Sequence, residues 1–192
     1  LLTLRGHSSR LSSLAFPPDG NLILTGASDG TARLWDREGR ELQLFDQHPA
    51  KVNVVAFAPD GQSIMIGYED HQIKEWSLDG ELRLSLVGHT GQVADLAFSP
   101  DGRYLLSCGW DETARIWDRR GYELWTLPIS TSKVAYAPDG QHLLTIVDEN
   151  KAARWMNIPR LLAATTEVFS LEALKDLGLA YAEQDVQEIR AW

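Results

Sequence analysis

Histidine and aspartate recur through this chain on a fixed interval. His7, His48 and His89 lie 41 residues apart, and Asp29, Asp70 and Asp111 keep the same step. Imidazole and carboxylate together are the material of metal sites and of general acid–base dyads. The interval argues against both, because it puts each pair inside its own repeat and the groups do not converge on one site. Cys108 has no CxxC partner and falls in a strand-like run, so it reads as an inert buried thiol rather than a nucleophile. No metal, cofactor or catalytic group is implied.

The elements that carry these residues are short and regular. Pro18-Asp19-Gly20 returns as Pro59-Asp60-Gly61, Pro100-Asp101-Gly102 and Pro138-Asp139-Gly140, with steps of 41, 41 and 38 residues. Trp35, Trp76, Trp117 and Trp155 keep those steps. Three markers on one period identify a repeat architecture. One unit reads as four strands: Glu81 to Leu86, Val93 to Phe98, Tyr104 to Cys108 and Ala114 to Trp117, separated by Pro-Asp-Gly and other tight turns. Strands at this density with no helix between them form antiparallel sheets.

A Gly-His near the start of a unit and a Trp-Asp near its end resemble the WD-repeat family of β-propellers. Gly6-His7 with Trp35-Asp36 and Gly88-His89 with Trp117-Asp118 match in full. Gln47-His48 with Trp76-Ser77 matches in part. The fourth unit keeps Trp155 but has Leu127 where the histidine is expected. The turn style looks like the long bacterial arrays of the family. The resemblance covers residues 1–158 and implies an all-β propeller of four-stranded blades, in units of about 1–40, 41–80, 81–121 and 122–158. It also implies a buried hydrogen-bond chain in each blade. Unit one supplies His7, Thr25, Asp29 and Trp35, and unit three supplies His89, Ser107, Asp111 and Trp117. Unit two has His48, Asp70 and Trp76 with Ile66 in the hydroxyl position; unit four has Thr145, Glu149 and Trp155. Blades one and three are therefore expected to be the rigid ones, and His89→Ala is expected to destabilise the fold.

The resemblance further implies a scaffold whose partners are other proteins or peptides held on the top face. Two positions per blade are indicated: Ser28, Glu69 and Trp110 before the aspartate, and Arg10, Lys51 and Gln92 before the first strand. Lys133 is a candidate fourth member, with the three-residue deletion leaving its alignment open. Trp110 stands out, since a turn usually holds a small polar residue there. An exposed tryptophan is a common hot spot; the bland alternative is an indole folded back onto a neighbouring blade. Glu69, Arg10 and Lys51 also fit a merely solvated rim, and Trp125 reads as packing. The competing reading is a propeller hydrolase or lyase with a central-channel site. The innermost strands (Leu11 to Phe16, Val52 to Phe57, Val93 to Phe98) offer only Asn53 and Asp95 for it.

The whole-chain numbers agree with a scaffold. The 192 residues are 44% hydrophobic and 23% charged, which suits a folded domain or a piece of one. A net charge of −9 disfavours nucleic acid, and no apolar run is long enough to cross a membrane as a helix. One cysteine excludes an internal disulfide and fits a cytoplasmic setting. Residues 159–192 change character. Leu174, Leu177, Tyr181, Val186, Ile189 and Trp192 fall near helical spacing behind Ser170 as a cap, giving a short helical tail expected to cover the last blade. Four blades are few for a ring. In order of preference, the chain is a fragment missing N-terminal blades, forms a homodimer closing an eight-bladed ring, or closes on itself.

Overall fold

The computed structural model of the protein describes residues 2–147 and 152–157. Alternating side chains and Pro-Asp-Gly punctuation give four antiparallel sheets. The first is β1 (Leu11–Ala15), β2 (Leu22–Ala27), β3 (Ala32–Asp36) and β4 (Glu41–Phe45), in chain order. The second is β5 (Val52–Phe57), β6 (Ser63–Tyr68), β7 (Ile73–Ser77) and β8 (Leu82–Leu86). The third is β9 (Val93–Phe98), β10 (Tyr104–Gly109), β11 (Thr113–Asp118) and β12 (Glu123–Pro128). In the fourth, β13 (Val134–Tyr136), β14 (His142–Val147) and β15 (Ala152–Asn157) are the described strands. These sheets are the blades. Each repeat unit is offset from its blade by one strand: Leu82–Leu86 opens the third unit but pairs with β7 in blade two. The helical tail expected at 159–192 lies outside the described residues.

The Pro-Asp-Gly turns work through two local interactions. The glycine takes a left-handed backbone, with φ of 66–68° at Gly20, Gly61, Gly102 and Gly140. The aspartate carboxylate accepts the backbone N–H two residues on, at 2.8–3.0 Å in all four turns.

Blades stack through their inner strands, and the seam needs small side chains. A Cβ on Gly26 would stand 2.5 Å from Val52 Cγ1, and one on Gly67 would stand 2.6 Å from Val93 Cγ1. Cys108 is the third member of this series and is fully buried. Polar groups on one inner strand bond the backbone of the next. Ser12 Oγ donates to the Val52 carbonyl (2.6 Å) and Asn53 Nδ2 to the Val93 carbonyl (3.1 Å). Val55 N–H donates to Ser13 Oγ (3.2 Å), and Val134 N–H donates to Asp95 Oδ2 (3.1 Å).

Between blades one and two, Leu22, Leu34 and Leu78 pack in one apolar cluster. Their counterparts 41 residues on are Ser63, Glu75 and Arg119. Glu75 is buried, accepts from Ser63 Oγ (2.6 Å) and pairs with Arg119 Nη2 (2.7 Å), whose guanidinium also lies 5.2 Å from the Phe98 ring centre. A polar triad thus replaces an apolar one at the next seam.

The first blade has no neighbour on its outer side among the described residues. Leu11, Leu14 and Phe16 are 51%, 65% and 58% exposed, while their counterparts Val52, Val55 and Phe57 are 1%, 4% and 8% exposed.

Candidate functional site

In blade three the buried chain is continuous. Trp117 Nε1 donates to Ser107 Oγ (2.8 Å), which lies 2.7 Å from His89 Nε2, and His89 Nδ1 lies 2.8 Å from Asp111 Oδ2. The indole can only donate, so the hydroxyl donates onward to Nε2 and the imidazole carries its proton on Nδ1, facing the carboxylate. Asp111 also accepts Thr90 N–H, Thr113 N–H and the Thr113 hydroxyl. Burial works to raise the Asp111 carboxyl, but these bonds outweigh it and hold the group at about 2. Burial pushes the His89 imidazole below its ordinary value against the opposing pull of Asp111, which keeps the ring neutral. Blade one repeats the arrangement. Trp35 Nε1 donates to Thr25 Oγ1 (2.9 Å), which lies 2.8 Å from His7 Nε2, and His7 Nδ1 lies 3.2 Å from Asp29. Ser8 N–H and Thr31 complete the Asp29 shell and hold it at about 2 against its own desolvation.

Blade two departs further than the missing hydroxyl indicates. Tyr68 fills the position held by Ala27 and Gly109, and its ring meets His48 edge-on with centroids 4.2 Å apart. The imidazole is turned round: Nε2 faces Asp70 (2.9 Å), and Nδ1 accepts from Lys74 Nζ (2.8 Å). Trp76 is not joined to them, and its buried indole N–H has no hydrogen-bond partner. Thr31, Thr113, Lys74 and Tyr68 are network residues that the histidine–aspartate spacing does not single out.

Blade four corrects two alignments. Leu127 pairs with Ala114 as Leu86 pairs with Ile73, so it is an outer-strand residue of blade three, not the histidine position. The deletion falls just after it: Pro128-Ile129 replaces the five-residue Val87-Gly88-His89-Thr90-Gly91 stretch. On the far hairpin Leu143 pairs with Met156, whereas Leu105 pairs with Trp117, so Met156 and not Trp155 occupies the tryptophan register. Ile129 and Met156 are both buried in one apolar cluster, and the buried Thr145 hydroxyl, counterpart of Ser107, has no partner among the described residues. Glu149 lies outside the described residues.

Around the top of the blades the two candidate positions meet as backbone pairs. Ser28 N–H donates to the Arg10 carbonyl, Glu69 N–H to Lys51, and Trp110 N–H to Gln92, each at 2.9 Å. Glu69 carries a rim ion pair with Lys51 (3.0 Å) and accepts from Gln92 Nε2 (3.4 Å), bridging blades two and three. Such exposed pairs contribute little to stability. Trp110 is 71% exposed, so its indole is not folded onto a neighbour. Trp125, by contrast, packs against the core. Lys133 does not join the ring: Val134 pairs with Thr145 as Leu96 pairs with Ser107, which aligns Lys133 with Asp95, the residue it faces at 3.4 Å. Ser130 is the counterpart of Gln92.

The chemistry available to an enzyme is already committed. Asn53 and Asp95, the polar groups of the inner strands, hold neighbouring backbone, and burial pushes the Cys108 thiol up to about 12. Among the described residues no three His, Cys, Asp or Glu side chains group to hold a metal ion, and no helix is long and apolar enough to cross a membrane.

Comparison with known proteins agrees with this geometry. The WD domain, G-beta repeat family matches residues 1–36, 39–77 and 80–118, more than half of the chain. A guanine nucleotide-binding protein subunit beta of Solanum tuberosum is 46% identical over 46 residues, 23% of this chain and 12% of that protein. Its counterpart from Oryza sativa subsp. indica is 44% identical over 48 residues, 24% of this chain and 13% of that protein. A guanine nucleotide-binding protein subunit beta-like protein of Encephalitozoon cuniculi is 42% identical over 43 residues, 22% of this chain and 13% of that protein. The aligned segments thus span only 12–13% of the length of these relatives. All three are eukaryotic, so the bacterial-array likeness gains no support from them. The chain belongs to the WD-repeat family, whose repeats build protein-interaction scaffolds of the β-propeller type.

Proposed function

We propose that this chain docks other proteins on the rim formed by Arg10, Ser28, Lys51, Glu69, Gln92 and Trp110, and catalyses nothing there. The observation that carries this reading is Trp110, a large aromatic left 71% exposed on a turn that is itself anchored to Gln92. Its neighbours give specificity and a polar border, while the histidines and aspartates beneath them hold the turns in place. The relatives named as guanine nucleotide-binding protein beta subunits support a place within a multiprotein assembly. The single buried cysteine supports a cytoplasmic setting, and the charge of −9 supports a protein rather than a nucleic-acid partner.

The bare side of blade one supports a second contact. Leu11, Leu14 and Phe16 continue the seam found between blades one and two, so another blade fits there, from preceding chain or from a second copy closing a homodimeric ring. Light scattering on the 192-residue chain separates these sources: a dimer that Leu14→Asp dissociates assigns the seam to a second copy. The docking face is tested by placing a photoreactive benzoylphenylalanine at Ser28 or, on the opposite edge, at Asp60. Cross-links to partners from Ser28 and none from Asp60 support the rim; the reverse pattern refutes it.

A further inference from the structure

Trp110 is one wall of a cleft of about 380 Å³ between the tops of blades three and four, with Glu112, the Ser130-Thr131-Ser132 run and Ile146 as the others. Glu112 is exposed and has a left-handed backbone, φ 61°. Blade one has glycine in this position, Gly30 at φ 84°, which adopts that conformation without strain. A glutamate there is conformationally unfavourable, the kind of outlier that marks a working residue. No cation pairs with Glu112 among the described residues. The other carboxylates nearby are engaged: Asp111 with His89, Thr90 and Thr113, and Asp95 with Lys133 and the Val134 N–H. Thr131 donates its hydroxyl to the Lys133 carbonyl, leaving Ser130 and Ser132 exposed along the floor.

An indole face, one unpaired carboxylate and short hydroxyls in one cleft make a receptor for a cationic side chain. The cation is attracted to the ring face and completes a charge-assisted hydrogen bond with the carboxylate. We propose that this cleft takes a lysine or arginine of a basic segment of the partner protein, its stem on Trp110 and its charged head at Glu112. This rests on the docking rim proposed above and names the chemistry of what docks there. The net charge of −9 adds long-range attraction for such a segment.

The test uses an array of twelve-residue peptides of random sequence, probed with the full chain and with its Trp110→Ala, Glu112→Gln and Glu112→Gly variants. Glycine suits the backbone at 112, so that variant folds and its melting temperature does not fall. Peptides retained by the unaltered chain are expected to share a Lys or Arg at one position. Replacing it by norleucine, or Glu112 by Gln or Gly, is expected to weaken binding about tenfold. Peptides that need Trp110 but tolerate norleucine and Glu112→Gly would overturn the cationic reading and leave the rim standing. Binding that ignores Trp110 would overturn both. A dimer in light scattering that Trp110→Ala dissolves would assign the cleft to a second copy and overturn the proposal.

Discussion

Ser107 and Thr145 occupy one register position in blades three and four, and removing their hydroxyls should have opposite effects. Ser107 Oγ is fully buried between Trp117 Nε1 at 2.8 Å and His89 Nε2 at 2.7 Å. Ser107→Ala strands a buried donor and a buried acceptor, each costing about 1–3 kcal/mol, or about 2–5 kcal/mol together. For a chain of this size that lowers the melting temperature by roughly 4–20 °C. Thr145→Val instead removes a buried hydroxyl that has no partner and keeps the shape, so it should leave stability unchanged or raise it by about 1 kcal/mol. Urea unfolding followed by tryptophan emission reads both at fixed slope. Equal losses in the two variants, or an unmoved midpoint in Ser107→Ala, would refute the reasoning that the relay matters only where both its partners are present.

Three further outcomes follow from the same geometry. His89 is held below its model value of 6.5 when folded, and Asp111 and Asp29 are held at about 2 against 3.8. In each case the unfolded chain takes up the proton first. Stability is therefore full above the unfolded values and declines in two stages, first below pH 6.5 and again as pH falls from about 4 toward 2. Urea midpoints across pH should show both stages, with Asp111→Asn shrinking the second. Glu75→Leu alone leaves Arg119 beside an apolar seam and should cost about 3 kcal/mol. The triple change Ser63→Leu, Glu75→Leu, Arg119→Leu should recover that loss in thermal unfolding, because a buried ion pair rarely outperforms a packed apolar replacement. His89→Ala should lower the melting temperature while His48→Ala lowers it less, since His48 is not joined to its tryptophan; equal losses would count against the distinction between blades.

The repeat was readable because three residue types recur on one interval, and a propeller blade forces that recurrence by reusing the same turns and the same packing. The relay in blades one and three was readable for the same reason. Blade two was not, because Tyr68 and Lys74 act on His48 from across the sheet, and spacing says nothing about which way an imidazole faces. Blade four was misaligned because a step of 38 residues states the size of a deletion and not its place. Shifting the far hairpin by one residue exchanges Trp155 for Met156 on the core face, since a strand has a period of two. The Ser63, Glu75 and Arg119 triad joins residues 44 positions apart that match no repeat marker, so only the fold brings them together. The exposure of Trp110 was half legible: its turn marked it as unusual, but only the structure shows that the indole does not fold back.

The central claim is that Trp110 and the rim around it hold a partner while the histidine–aspartate pairs only support them. The most direct measurement is a quantitative comparison of proteins bound by the chain and by its Trp110→Ala variant, with melting temperatures recorded alongside. A defined set of proteins lost from the variant at unchanged melting temperature is the predicted result. An identical bound set from both proteins would contradict the claim.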